Sequence, residues 1–92
     1  MILSCEVECI IYDAQSLKDK RAVLQRIMSR LSQRFNLAVA EIDYQNQWQR
    51  TRLAIVTISS SKKVAENEVR QALALIDSFP EIERTKTDIE WL

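Results

Sequence analysis

The chain of 92 residues contains no histidine and no glycine, one proline and two cysteines. Without histidine it lacks the commonest general base and metal ligand, and without glycine it has no glycine-rich loop to cradle a phosphate. Most enzyme designs are closed off by these two absences, so a non-catalytic protein without a cofactor is expected. Cys5 and Cys9 lie four residues apart in a segment that reads as a strand, which sets their Cα atoms about 13 Å apart, beyond disulfide reach. They read as buried, reduced thiols. With no second cysteine pair they fall short of the four ligands of a structural zinc site, and no metal is expected. No run approaches the roughly 18 apolar residues of a membrane span, and Glu6 interrupts the start before a signal-peptide core could form. No membrane partner and a cytoplasmic location are therefore expected.

What is present is a chain with 47% hydrophobic residues, enough for one core, and residues 1–92 are expected to form a single domain. From Ile2 to Ile11 the residues Leu3, Cys5, Val7, Cys9 and Ile11 alternate with Ser4, Glu6 and Glu8, the pattern of a half-buried strand. Ser16 offers an N-cap with Asp19 three residues on, and Leu17, Leu24, Ile27, Met28, Leu31 and Phe35 recur at helical spacing to about Arg34. Residues 37–44 and 52–59 read as the two strands of a hairpin. Asn46 is the natural residue for any positive φ that its turn requires. Ser60 or Ser61 can cap a second helix, with Val64, Ala65, Val69, Ala72, Leu73, Ile76 and Phe79 as its apolar stripe and Pro80 as its stop. Ile82 to Trp91, with charges spread through it, reads as a last strand at a sheet edge. The order βαββαβ, taken with right-handed crossovers, predicts an α+β ferredoxin-like sandwich. Its four-stranded antiparallel sheet has the first and third strands central and two helices on one face.

The formal net charge is zero, but the charges are sorted. Residues 17–34 carry six bases against Asp19 alone, whereas residues 1–16 carry Glu6, Glu8 and Asp13. Lys18, Lys20 and Arg21 fall in the first turn of the first helix, where the macrodipole disfavours cations by some tenths of a kcal/mol each. Two readings follow. Either an anion docks there, or the cations pair with carboxylates, Arg21 or Lys20 with Asp43 being the pair that would fix the helix start against the hairpin. The topology brings the helix start and the hairpin tip to the same end of the domain. Lys18, Lys20, Arg21, Gln45, Trp48, Gln49 and Arg50 then form one candidate surface, suited to phosphates plus a stacked base or to a protein partner. The acids of the first strand make the open sheet face a poor phosphate binder.

The stretch from Ser16 to Arg21, SLKDKR, and that from Ala40 to Arg50, AEIDYQNQWQR, together with the close Glu90-Trp91-Leu92, resemble the marked segments of the YlxP-like bacterial family over nearly the whole chain. Asp19 stands where that family usually has glutamate. The resemblance implies a small ferredoxin-like protein of unknown function, often encoded near genes for transcription elongation, translation initiation and ribosome maturation. The expected role is an accessory binding protein linked to translation, with RNA or a ribosomal subunit as partner and Arg26 as a further phosphate contact. A protein-interaction module, including a homodimer, and a small phosphate- or nucleotide-binding domain are the alternatives.

Overall fold

A computed structural model describes residues 1–92. The elements are β1 (Ile2–Ile11), α1 (Leu17–Arg34), β2 (Ala38–Asp43), β3 (Arg50–Ile58), α2 (Lys62–Asp77) and β4 (Ile82–Trp91). They form one four-stranded sheet of order β2-β3-β1-β4 in which every neighbouring pair is antiparallel, the α+β ferredoxin-like arrangement. The crossover through α1 carries the chain past the place later filled by β3, so β1 and β2 run parallel. The start of α1 and the β2–β3 turn consequently share one end of the sheet.

The alternation in β1 divides the sheet as the sequence pattern requires. Leu3, Cys5, Val7, Cys9 and Ile11 are buried beneath the helices, with Leu53 and Ile55 beside them from β3. Leu24, Ile27 and Leu31 of α1 and Ala65, Val69, Ala72, Leu75 and Ile76 of α2 complete the core. Two inward residues of β3 are polar. Thr51 donates to Glu41 Oε2 at 2.6 Å and Thr57 to the carbonyl of Asn36 at 2.5 Å, so neither hydroxyl is left unsatisfied. Val64, counted in the stripe of α2, is exposed, because it stands about 100° around the helix from its neighbour Ala65, which is buried.

Both helices start on serine caps. Ser16 Oγ accepts from the Asp19 N–H at 3.0 Å, while Asp19 reaches back to the Gln15 N–H at 3.1 Å; Ser61 Oγ accepts from the Val64 N–H at 3.3 Å. β3 begins at Arg50, two residues earlier than its apolar pattern indicates, because β1 is long enough to pair Ile10 with Arg50 and Cys9 with Thr51. The hairpin turn places its positive φ on Tyr44 (62°), not on Asn46. Asp13 (64°) is the other such residue. A left-handed tyrosine costs about 1–2 kcal/mol, and four contacts described below offset it.

β4 lies at an edge and carries a bulge opposite Glu8 and Cys9. Just beyond it, Arg84 faces inward and binds both carboxylate oxygens of Asp77, at 2.7 and 2.8 Å. A bulge and an inward charge are devices that keep an open edge from pairing with other strands.

Removing the cap of α1 with Ser16→Ala is expected to cost about 1 kcal/mol, lowering the melting midpoint by about 4–8 °C in a thermal unfolding scan.

Candidate binding surface

The helix-hairpin corner is built around Lys20, a lysine of the first-turn basic cluster. Lys20 belongs by sequence to the candidate surface, but only 1% of it reaches solvent. It stands one turn before Leu24 on the buried line of α1, so its stem packs inward and its ammonium emerges under β2. There it meets Glu41 Oε2 at 2.8 Å and donates to the Tyr44 carbonyl at 2.6 Å. Lys20 is therefore unavailable to an external anion. The helix-to-hairpin ion pair does exist, but its members are Lys20 and Glu41 instead of Arg21 and Asp43. Asp43 instead accepts from the N–H of Tyr44 at 2.7 Å. Arg21 is exposed and lines a groove between α1 and β2, beside Val39 and Glu41.

Arg50 also departs from the expected surface. It leads into β3 on the open face of the sheet, away from α1, where its guanidinium lies 3.9 Å from the Tyr44 ring centre and 3.3 Å from Glu8 Oε2. Beside it Arg52, mostly covered, reaches Glu6 at 2.8 Å, Glu8 at 3.0 Å and Asp88 at 2.9 Å, bridging three strands. These carboxylates raise the Arg52 pKa still further above its ordinary value. Burial works to raise the Glu8 pKa, but hydrogen bonds from Arg50, Tyr44 and Arg52 outweigh it and hold the carboxyl below its usual range. The open face is thus a self-neutralising charge ladder. Glu6, Glu8 and Asp88 are all occupied there, and Tyr44 is held by four contacts: Lys20 on its carbonyl, Asp43 on its N–H, Glu8 on its hydroxyl at 3.2 Å and Arg50 over its ring.

The tip itself does gather part of the expected set. Gln49 donates from its side chain to the Ala14 carbonyl at 3.0 Å and accepts from the Ile11 N–H through its own carbonyl at 3.0 Å, pinning the turn to the end of β1. Trp48, 52% exposed, lies with Asn46, Gln47, Gln49 and Arg50 around a shallow depression, and Gln45 is exposed next to it. Lys18 is exposed at the start of α1.

The larger basic feature is the solvent side of α1 as a whole. Lys18, Arg21, Arg30 and Arg34 have no carboxylate within 4.0 Å, and of the exposed bases of α1 Arg26 alone is paired, with Glu81. Arg26 and Arg30 also lie over the Phe79 ring, 5.8 and 5.0 Å from its centre. The spacing of 26, 30 and 34 already signals one ridge, since residues four apart sit above one another on a helix. Concentrating on the first turn hides it.

Two other features define what the protein's chemistry can be. Burial pushes the Cys9 thiol up to about 12, against the opposing influence of Arg84, and raises Cys5 as well, so neither is a nucleophile at neutral pH. A second groove, of about 580 Å³, runs between α2 and β4 and is floored by Leu3, Val69, Leu73, Ile89 and Trp91. No helix is long and apolar enough to cross a membrane.

Lys20→Ala leaves Glu41 without its counter-charge and is expected to cost about 3–5 kcal/mol in urea denaturation. Lys20→Met/Glu41→Gln keeps an acceptor for Thr51 and strands no charge. Its loss should fall short of the sum of the Lys20→Met and Glu41→Gln losses by about 1–3 kcal/mol. For Glu8 the folded pKa lies below the ordinary value of about 4.5. Its stabilisation is present above that value and is lost as pH falls through the folded pKa. Wild-type stability should therefore decline on acidification below about pH 4.5 more steeply than that of Glu8→Gln, read from denaturation midpoints at successive pH values.

A family model described as "Protein of unknown function (DUF503)" matches residues 2–89. The uncharacterized protein YlxP of Bacillus subtilis (strain 168) is 57% identical over 91 residues, an alignment covering 99% of each chain. The chain therefore belongs to the DUF503 family of YlxP-like proteins, whose function is unknown.

Proposed function

We propose that the protein is a non-catalytic accessory binding protein of translation that contacts RNA, alone or in a ribosomal subunit, through the exposed side of α1 and the adjoining hairpin tip. The observation that carries this reading is the set of unpaired cations on α1. A solvent-exposed helix that needed only stability would intersperse acids four residues from its bases, yet α1 has no acid after Asp19. On the sheet the arginines are paired: Arg50, Arg52 and Arg84 all hold carboxylates. Lys18, Arg21, Arg30 and Arg34 are left with nothing to neutralise them, which suits a polyanion. The zero net charge is not an obstacle, because the acids that balance the exposed cations of α1 lie on other elements, α1 itself carrying Asp19 alone. Trp48 adds an exposed aromatic at the hairpin tip, at the same end of the sheet as the start of α1, and the resemblance to a family encoded among translation genes supplies the link to the ribosome.

A protein-interaction role is the second reading. It is favoured by the groove along β4, where Ile89 (55% exposed), Trp91 and Leu92 present apolar surface at a sheet edge.

Binding to ribosomal subunits and to RNA oligonucleotides at about 50 and 200 mM salt separates the two. Contact with four phosphates should weaken affinity by on the order of a hundredfold across that interval. Arg30→Glu/Arg34→Glu should abolish binding, and Trp48→Ala should weaken it by about 1–3 kcal/mol if a base stacks there. Absence of binding at low salt, or binding indifferent to salt and to the arginine substitutions, would refute the RNA reading.

A further inference from the structure

Resting on that reading, we infer that the ligand of α1 is the minor groove of an A-form RNA duplex. The inference comes from how the charges are distributed around the helix. The buried line runs through Lys20, Leu24, Ile27 and Leu31. Projected at 100° per residue, the crest diametrically opposite carries Ala22, Gln25, Ser29 and Gln33, all uncharged, with Lys18 at its start. The arginines lie to either side. Arg26 and Arg30 lean toward Phe79 and Glu81, with Arg34 one turn further along the same ridge. Arg21 lies on the opposite flank, in the groove beside Val39 and Glu41.

A helix meant only to touch phosphates would carry its cations on the crest, where they reach furthest. Beyond Lys18 the crest offers amides and a hydroxyl, which can donate and accept, and the arginines stand back along both flanks. An A-form minor groove has the complementary form: a wide, shallow floor of 2′-hydroxyls and base edges, bordered on both sides by phosphates. A helix about 10–12 Å across fits such a groove, whereas the B-form minor groove is about 6 Å wide and excludes it. The B-form major groove admits a helix but offers no 2′-hydroxyl. Unpaired bases call for exposed aromatics, and this helix face has none. Phe79 is buried beneath Arg26 and Arg30, and Trp48 stands apart at the hairpin tip. From Gln25 to Gln33 the crest spans about 12 Å, and from Arg21 to Arg34 the basic flanks span about 20 Å, so contacts extend over several base pairs.

The test measures binding of the whole protein to an RNA duplex, a DNA duplex of the same sequence and the single RNA strand, at about 50 and 200 mM salt. Wild type is compared with Gln25→Ala/Ser29→Ala/Gln33→Ala, with the milder Gln33→Ala, and with Arg30→Glu/Arg34→Glu. Thermal melting confirms that each variant is folded. The RNA duplex should bind at least about tenfold more tightly than either other probe. The crest variants should lose that preference while keeping the salt dependence, and the arginine variant should lose all three probes. Equal affinity for RNA and DNA duplexes, or tighter binding to the single strand, overturns the duplex assignment and leaves the RNA reading standing. Binding to none of the probes at low salt overturns both, as does capture by ribosomal subunits that resists salt and survives the arginine substitutions, which would indicate a protein contact.

Discussion

The buried ammonium of Lys20 is the joint on which the corner of this fold depends. Its partners come from both ends of one short segment, Glu41 inside β2 and the carbonyl of Tyr44 just past it. A single side chain of α1 thus fixes the helix to the last strand residues and to the turn that follows. The turn needs such help, because Tyr44 occupies a left-handed conformation that a glycine would adopt freely and this chain has no glycine. Burying a charge is costly unless it is paired and hydrogen-bonded, and here both conditions are met, with Thr51 taking up further capacity of Glu41. The geometry of the exposed α1 cations relative to the hairpin is inherited from that joint.

A second constraint shapes the surface. Two helices lie over a four-stranded sheet whose central strands they cover, so the helix-side faces of β2 and β4 are only partly roofed. Each edge therefore has a groove beside the neighbouring helix. On the other side the sheet has no cover, and its charged residues pair across strands: Arg52 spans β3, β1 and β4 through Glu6, Glu8 and Asp88. The two sides of one small protein treat charge in opposite ways. The open face neutralises it internally, and α1 displays it.

The architecture was largely legible in the sequence because the signals there are local. The period-two run of β1, the serine caps and Pro80 each act within a few residues, and the order of elements leaves few topologies. The corner was less legible. Nothing in SLKDKR distinguishes Lys20 from Lys18 except its phase relative to Leu24 and Ile27, and that phase places it inward. Glu41, not Asp43, becomes its partner for a similar reason: Glu41 is paired with Leu53 on the helix side of the sheet, whereas Asp43 follows a register shift opposite Arg52. A bulge cannot be seen in a pattern read at strict alternation. Tyr44, likewise, adopts positive φ because tertiary contacts hold it there, and propensity alone favours Asn46.

The placement of unpaired cations is more informative than their number. A ridge of arginines four residues apart repels itself, and such like-charge pairs cost a helix a few tenths of a kcal/mol each. The same protein neutralises Arg84 with two oxygens of Asp77 and Arg52 with three carboxylates, so suitable acids are within its repertoire. Acids at positions such as 22 or 33 of α1 would relieve the repulsion at no cost to the core, because both positions are exposed. Alanine and glutamine stand there instead. Folding does not require that choice; under the proposed binding role the counter-charge arrives with the ligand.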